Sequence, residues 1–312
     1  MQTTHVPTAS RFAARPWKST LTALLLFPGA GLAQEVAIDT AAEPASVARE
    51  PRTVVALDLA AIDTLSALGV PLAGVPAFTP PAFLASAMTD ASQVGTLFEP
   101  DFEALAVMAP DLIVAGGRSQ PMVAPLGRIA PTLDMTIAGG DVVALTLARI
   151  AAYGRIFARE EQADALANNL VTRLANARAA VEGEGNALIL MTSGSTVSAY
   201  GADSRFGWLH RDLGLPEAYG EITAENHGEA VSFEFIAEVN PDWLLVVDRG
   251  AAIGQAGQAA AVTLDNPLVM GTTAGQTGQI VYLDSAALYL AAGGAQAMAI
   301  LLDQIADAFG PD

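Results

Sequence analysis

Apolar runs that predict buried strands alternate with helical patterns along the chain from residue 53 onward. The run "TVVALD" (53–58) predicts a strand covered on both faces, and "AAIDTLSALGV" after it predicts a helix that ends near Gly69. "LAGVP" predicts the next short strand. Strands and helices in alternation are typical of a parallel sheet, so the pattern predicts an α/β fold.

One phrase of this pattern occurs twice. "FEALAVMAPDLIVAGGR" covers 102–118 and "FEFIAEVNPDWLLVVDR" covers 233–249, with matching Phe-Glu, Pro-Asp and final Arg positions. Each copy predicts a helix, capped by Asp101 or Ser232 and stopped by proline, then a buried strand. The repeat therefore predicts two similar α/β lobes that face each other across a cleft, where small molecules usually bind.

The segment between the copies has a different character. "LTLARIAAYGRIF" and "EEQADALANNLVTRLANARAAV" keep helical periodicity with no strand pattern between them, which predicts one or two long helices. The predicted organisation is an N-terminal lobe over 34–141, a helical connection over 142–183 and a C-terminal lobe over 184–312. The last lobe ends with a strand and a long helix.

The first 33 residues predict a secretory signal peptide. Arg11, Arg15 and Lys18 precede an apolar run over 21–27, and small residues lead to a cleavage site after Ala33. The run is shorter than the roughly 20 residues that span a bilayer. The chain has no cysteine, so it lacks disulfides and the cysteine that bacterial lipoproteins acylate. We therefore expect a free periplasmic protein without a direct membrane anchor, and a monomer.

The charge balance is strongly acidic, with 33 acidic against 15 basic residues and a net charge of −18. Nucleic acid and anionic membrane surfaces are therefore excluded as expected partners. Lys18 is the only lysine, so every basic side chain after it is an arginine. The planar guanidinium suits oxyanions, although an all-arginine composition also fits a GC-rich genome.

The sequence does not favour an enzyme. It has no phosphate-binding glycine loop of the Walker type and no serine nucleophile elbow, so hydrolase, kinase and dehydrogenase functions lack their motifs. A carrier of zinc or manganese ions would need several converging histidines and carboxylates, and the chain has three histidines in all. We expect no intrinsic cofactor.

Four further motifs carry a family resemblance. "VGTLFEPDFEALAVMAPDLIVAGGRSQ", "SAYGADSRFGWLHRDLG", "NHGEAVSFEFIAEVNPDWLLVVDR" and "VYLDSAALYLAAGG" resemble the periplasmic substrate-binding proteins of ferric siderophore ABC importers, above all the catecholate-binding branch. The resemblance covers about 36–309. It implies the class III binding-protein fold, with two Rossmann-like lobes, parallel sheets and a long interdomain helix.

The resemblance implies a role for five residues in the cleft. Arg118, Arg205 and Arg249 match arginines that face the ligand, while His227 and Tyr289 match residues that can bind the ferric ion directly. The chemistry agrees, because ferric ion prefers anionic oxygen donors and a bis-catechol leaves two of its positions open. Such a complex is anionic, and charge-assisted hydrogen bonds from arginines would hold it. Ferric ion would then arrive as part of the siderophore complex.

Other residues are assigned with plainer alternatives beside them. Glu103 and Glu234 match a pair that docks on arginines of the membrane permease, although a glutamate in a first helical turn is stabilised there without any partner. Tyr200 and Trp208 flank Arg205 and either stack on catechol rings or belong to the core. Tyr289 could likewise be a core tyrosine, and His227 a solvated loop residue. A haem, corrinoid or hydroxamate-siderophore binder on the same scaffold is the alternative function.

Overall fold

The computed structural model describes residues 1–5, 34–139, 141–223, 227–255 and 257–310. Residues 1–5 are exposed and belong to no helix or strand. The core of the predicted signal peptide, 6–33, lies outside the described residues. Gln34–Asp312 forms one compact unit, separate from Met1–Ala33.

The strands of the compact unit form two five-stranded sheets and one two-stranded ribbon. The ribbon and the first sheet use β1 (Glu35–Ile38), β2 (Ala45–Ala48), β3 (Val54–Ala56), β4 (Gly74–Val75), β5 (Ser92–Gln93), β6 (Leu112–Ala115) and β7 (Thr132–Asp134). The second sheet uses β8 (Ala187–Ser193), β9 (Thr196–Tyr200), β10 (Glu229–Val231), β11 (Trp243–Asp248) and β12 (Ile280–Tyr282).

The two sheets differ in strand direction. In the first sheet the order is β5-β4-β3-β6-β7, and every pair is parallel. In the second the order is β10-β9-β8-β11-β12, and β9 runs antiparallel to both neighbours. A two-residue turn that starts at Gly194, with φ +59°, joins β8 to β9, and such tight hairpins need positive φ. The α/β fold class is confirmed, but the second sheet is mixed, because this hairpin reverses one strand.

Helices cover the faces of both sheets. Those in the first half are α1 (Leu59–Ala67), α2 (Ala85–Thr89), α3 (Phe102–Met108) and α4 (Val123–Leu126), with 3₁₀ turns at Ala82–Leu84 and Gly117–Met122. The connection contains α5 (Val142–Phe157) and α6 (Glu160–Val181). The second half contains α7 (Trp208–Arg211), α8 (Phe233–Val239), α9 (Arg249–Ala252), α10 (Ala260–Leu264), α11 (Pro267–Met270), α12 (Thr273–Thr277), α13 (Ser285–Tyr289) and α14 (Ala295–Phe309).

The repeated phrase folds the same way in both halves. Asp101 caps α3 by accepting from Ala104 N at 2.9 Å, and Ser232 caps α8 by accepting from Phe235 N at 3.3 Å. Both helices end in a left-handed residue, Ala109 at φ +49° and Asn240 at φ +48°. The predicted caps and helix ends are therefore correct.

The connection between the halves is two helices with a break at Ala158, which adopts φ +52°. α6 packs against α5 and along α14, and α14 also packs against α1 of the first half. Asp63 in α1 completes this junction, because its two carboxylate oxygens accept from Gln296 N and Ala297 N at the start of α14, each at 2.8 Å. One continuous apolar core therefore joins both sheets through these helices.

Candidate ligand-binding site

Arg118 lies just beyond the end of β6, at the carboxyl edge of the first sheet. The backbone there is tightly packed. A β-carbon on Gly116 would lie 2.9 Å from Thr136 N, and Gly117 adopts φ +52° while its N–H donates to Thr136 Oγ1 at 3.1 Å. Only glycine fits this close approach without strain, so the two glycines fix where the Arg118 side chain starts.

Arg249 and Arg205 come from two segments of the second half. Arg249 is the first residue of α9, directly after β11, where Asp248 caps the helix by accepting from Ala251 N at 3.0 Å. Arg205 lies in the turn between β9 and α7, where Ser204 Oγ donates to Gly201 O at 2.7 Å. Arg118 and Arg249 therefore follow the carboxyl ends of their strands, where ligands collect in open α/β sheets.

The three arginines converge on Tyr289. Arg118 Nη2 and Arg205 Nη2 donate to the same acceptor, the Tyr289 carbonyl oxygen, at 3.1 and 2.9 Å. Arg249 Nε donates to the Tyr289 hydroxyl at 3.3 Å. The guanidinium carbons of Arg118 and Arg205 lie 5.3 and 4.7 Å from the centroid of its ring, within the range of cation–π attraction. One tyrosine thus holds guanidinium groups from both halves of the fold.

The cluster carries concentrated positive charge in an acidic protein. Each ion pair found within the described part of the chain uses a different arginine, namely Arg49, Arg173 or Arg211. Burial, followed by the charge of Arg118, lowers the pKa of Arg205. The cluster therefore meets the first requirement of an anion site, which is cationic donors that form no ion pair with a carboxylate within the described residues.

Tyr289 responds to this charge. Burial alone would raise the pKa of its phenol, but the hydrogen bond and charge of Arg249, with the charges of Arg205 and Arg118, lower it below its ordinary value. A phenolate is an anionic oxygen donor of the kind that ferric ion prefers. The three arginines therefore favour the ionised form of Tyr289.

Asp58 is a residue of this region that the sequence reasoning missed. It caps α1 by accepting from Ala61 N at 2.9 Å, and a β-carbon on Gly117 would lie 2.9 Å from its Oδ2. Burial raises the pKa of Asp58, against the effects of the Ala61 hydrogen bond and the charge of Arg118. Its position at the end of a predicted buried strand was the available signal, since polar residues there reach the cleft edge.

Tyr200 and Trp208 lie in the core. The Tyr200 ring packs at 4.6 Å from the Phe206 ring, its hydroxyl contacts Met191 Sδ at 3.7 Å, and burial raises its pKa to about 12. Trp208 is fully buried. The structure corrects their assignment as residues that stack on the ligand, because neither ring has an exposed face.

His227 is exposed and lies just before β10. The next residue, Gly228, adopts φ +68°, and a β-carbon there would lie 2.6 Å from the Tyr200 ring. Tyr200 in turn responds to the charges of Arg205 and Arg249. Within the described residues no hydrogen bond joins His227 to Tyr289.

Glu103 and Glu234 are exposed in the first turns of α3 and α8. Hydrogen bonds from its own backbone N–H and from Ser232 lower the pKa of Glu234. Both helices begin at the carboxyl edge of their sheets, on the same side as Arg118 and Arg249. The two carboxylates are thus presented to solvent at equivalent places on the two halves.

No three His, Cys, Asp or Glu side chains within the described residues come together as a metal site would require. Nor does any helix in that part of the chain combine the length and the apolar character needed to cross a membrane.

Comparison with known proteins places the fold. The model of the family described as "Periplasmic binding protein" matches residues 54–287. The chain belongs to this family. Petrobactin-binding protein YclQ of Bacillus subtilis is 33% identical over 265 residues, which cover 84% of this chain and 83% of the relative. Its crystal structure superposes with a TM-score of 0.83, covering 89% of this chain and all of that one.

Two other family members are similar over most of their length. Ferric-anguibactin-binding protein FatB of Vibrio anguillarum is 29% identical over 83% of each chain. The periplasmic catecholate-siderophore binding protein VctP of Vibrio cholerae is 30% identical, with a TM-score of 0.81 over 87% of this chain and 99% of that one. Family membership confirms the predicted class III fold. The family consists of substrate-binding proteins rather than enzymes.

Proposed function

We propose that this chain is the substrate-binding component of a ferric siderophore ABC importer and that it takes ferric catecholate complexes. One observation carries the proposal: Arg118, Arg205 and Arg249 gather on Tyr289 with no carboxylate paired to any of them within the described residues. The relatives named above are themselves named for petrobactin, ferric anguibactin and a catecholate siderophore, which supports the same class of ligand.

The three guanidinium groups are suited to an anionic, oxygen-rich complex. In the structure Arg118 and Arg205 donate to a carbonyl, which carries only a partial charge. Catecholate oxygens bear more negative charge, and hydrogen bonds between ionised groups are roughly twice as strong as neutral ones. A ferric catecholate would therefore compete well for these donors, whereas a nearly neutral hydroxamate complex would gain less.

We further propose that Tyr289 and His227 complete the iron shell when the siderophore leaves positions vacant. The lowered pKa of Tyr289 favours its ionised form, and His227 is exposed beside Gly228, whose backbone lies against the Tyr200 ring. Fe(III) is then part of the cargo. The lobes would be 34–141 and 184–312, joined by 142–183, and the shared core through α6 and α14 favours a small closing movement over a wide hinge.

Delivery would follow from the two exposed carboxylates. Glu103 and Glu234, one on each half, would seat the loaded protein on a two-subunit permease in the inner membrane. A signal peptide over 1–33 would take the protein to the periplasm, where we propose that it acts as an unanchored monomer.

The test is a titration of the purified protein with ferric bis-catecholate, ferric tris-catecholate, a ferric hydroxamate and haem. Protein fluorescence gives the affinity, and the visible charge-transfer band of the iron reports its ligands. We expect tightest binding for a catecholate, and a blue shift with bis-catecholate that Tyr289→Phe and His227→Ala both reduce. Equal or tighter binding of haem or hydroxamate would reject the catecholate assignment, and an unchanged blue shift in both variants would reject direct iron ligation.

A further inference from the structure

The repeat creates two equivalent surfaces around Glu103 and Glu234, and these surfaces differ in chemistry. The N-terminal face consists of exposed residues in and before α3: Phe98, Phe102, Glu103 and Val107. The C-terminal face consists of the aligned residues in and before α8: Glu229, Phe233, Glu234 and Glu238. Two of the four aligned positions carry the same residue type on both faces, the phenylalanine at 102 and 233 and the glutamate at 103 and 234.

Both faces lie at the edges of the sheets that carry the arginine cluster. α3 precedes β6 and α8 precedes β11, and crossover helices run opposite to the parallel strands that they connect. Each helix therefore begins at the carboxyl edge of its sheet, the edge that carries Arg118 or Arg249. A partner that contacts both faces would therefore lie on the side of the protein that carries the proposed ligand site.

The N-terminal face is apolar around its single helical carboxylate. Phe98 is 61% exposed and Val107 is 83% exposed, and Phe102 is also exposed beside Glu103. The Phe98 backbone is held at the tip of a tight turn, because Thr96 Oγ1 accepts from Phe98 N at 3.3 Å and from Glu99 N at 3.0 Å. An exposed aromatic side chain on a fixed backbone loses little entropy on binding, which is typical of an interface anchor.

The C-terminal face has carboxylates at the aligned positions. In the register of the repeat Glu229 aligns with Phe98, although it lies in β10 while Phe98 lies in a turn, and Glu238 aligns with Val107 in the equivalent helix. These carboxylates surround Tyr219, whose pKa is raised first by its hydrogen bond to Glu221 and further by the charges of Glu229 and Glu238. The face therefore offers negative charge without an exposed apolar side chain, and basic side chains are its complement.

We propose that Phe98, with Phe102 and Val107, is an apolar anchor that fits a hydrophobic socket on one permease subunit, while the C-terminal face binds basic side chains of the other. The proposal rests on the proposed function for the identity of the partner. Two glutamates related by the repeat would allow docking in either of two orientations. An apolar anchor on one face alone makes one orientation the more stable, because the acidic face cannot fill a dry socket without burying carboxylates.

Fluorescent labels can report the orientation directly. The chain has no cysteine, so Glu99→Cys and Ala230→Cys each give a single labelling site at aligned, exposed positions beside the two faces. The probe is the siderophore permease of the same organism, reconstituted in nanodiscs, with an environment-sensitive dye on the binding protein. We expect docking to shift the emission of the label at 99 to the blue and to leave the label at 230 nearly unchanged. Equal shifts at both positions would overturn the proposal.

An alanine variant tests the anchor itself. Phe98→Ala should weaken docking by about tenfold, as truncation of an interface hot spot does, without changing its salt dependence. Val262→Ala is the matched control, because Val262 is 62% exposed in α10, on neither face. Phe98→Ala that docks as tightly as this control would refute the anchor. So would an absence of docking, or a self-association of the protein that depends on Phe98.

The ligand titration keeps this test separate from the proposed function. Affinity for ferric bis-catecholate should be the same in both alanine variants. A protein that docks through Phe98 but binds no ferric catecholate would reject the proposed ligand and support the anchor. A protein that binds ferric catecholate and docks equally in both orientations would support the proposed ligand and reject the anchor.

Discussion

Replacing Arg205 should separate affinity from stability. Arg205→Met keeps most of the aliphatic volume but removes the guanidinium that donates to the Tyr289 carbonyl at 2.9 Å. In the complex this group would bond to catecholate oxygen, and hydrogen bonds to charged groups contribute about 1.5–3 kcal/mol. The dissociation constant for ferric bis-catecholate should therefore rise by about 10- to 150-fold.

The stability of the empty protein should change much less. Burial and the charge of Arg118 lower the pKa of Arg205, so the empty protein holds this cation at an electrostatic cost. Its removal relieves that cost and loses one hydrogen bond to a neutral carbonyl. Because the two effects oppose each other, we expect the free energy of unfolding to change by no more than about 1 kcal/mol.

The assay combines fluorescence titration with urea unfolding on the same protein samples. Arg211→Met is the matched control, because Arg211 makes an exposed ion pair with Asp203 at 3.2 Å and lies six residues further along the chain. Arg205→Lys keeps the charge without the planar fork and should recover only part of the affinity. Two results would show that the cationic-site reasoning is wrong. One is a change in the dissociation constant of less than twofold in Arg205→Met. The other is a loss in the free energy of unfolding as large as the loss in the free energy of binding.

Three further predictions follow from particular contacts. Arg249→Gln should raise the pKa of Tyr289, measured by phenolate absorbance against Tyr289→Phe, because Arg249 gives both the hydrogen bond and the largest favourable charge; an unchanged titration would contradict this. Burial raises the pKa of Asp63 to about 6 from 3.8, so this carboxyl stabilises the fold at low pH, and that stabilisation is lost as pH rises through 6. Between pH 5 and 7.5 Asp63→Asn should remove about 1.4 kcal/mol of pH dependence from the free energy of unfolding, and identical pH profiles would refute the assignment. Gly228→Ala should cost more stability in urea unfolding than Gly194→Ala, since both glycines have positive φ but only the first would place a β-carbon against the neighbouring tyrosine ring; equal losses would show that φ strain alone decides.

The sequence predicted what local physics determines. The repeated phrase carries its own caps and stops, so the starts of α3 and α8 and the strands after them appear where Asp101, Ser232 and the prolines indicate. Arg118 and Arg249 follow those strands directly, so their place at the carboxyl edge of a sheet was also predictable. Element type and strand ends are the features that neighbouring residues fix.

The remaining features depend on tertiary contacts that no local pattern records. The residues around Arg205 form a turn without periodicity, so the sequence does not tell which of Tyr200 and Trp208 faces inward, and both do. The acceptor that joins Arg118 to Arg205 is a backbone carbonyl, which every residue has, so nothing in the residue type of Tyr289 marks that role. The proposed ferric-ion role of its hydroxyl came from a family motif instead.

The position of Tyr289 links charge to conformation. Arg118 belongs to the first half and also donates to Leu290 O at 3.4 Å, while Arg205 and Arg249 belong to the second. Tyr289 and Leu290 lie in the second half as well, so a movement that separates the halves must break the bonds of Arg118 to their carbonyls. The full positive charge of the cluster therefore exists only when the halves are close, and an anion that needs all three arginines favours that closed arrangement by its own binding energy.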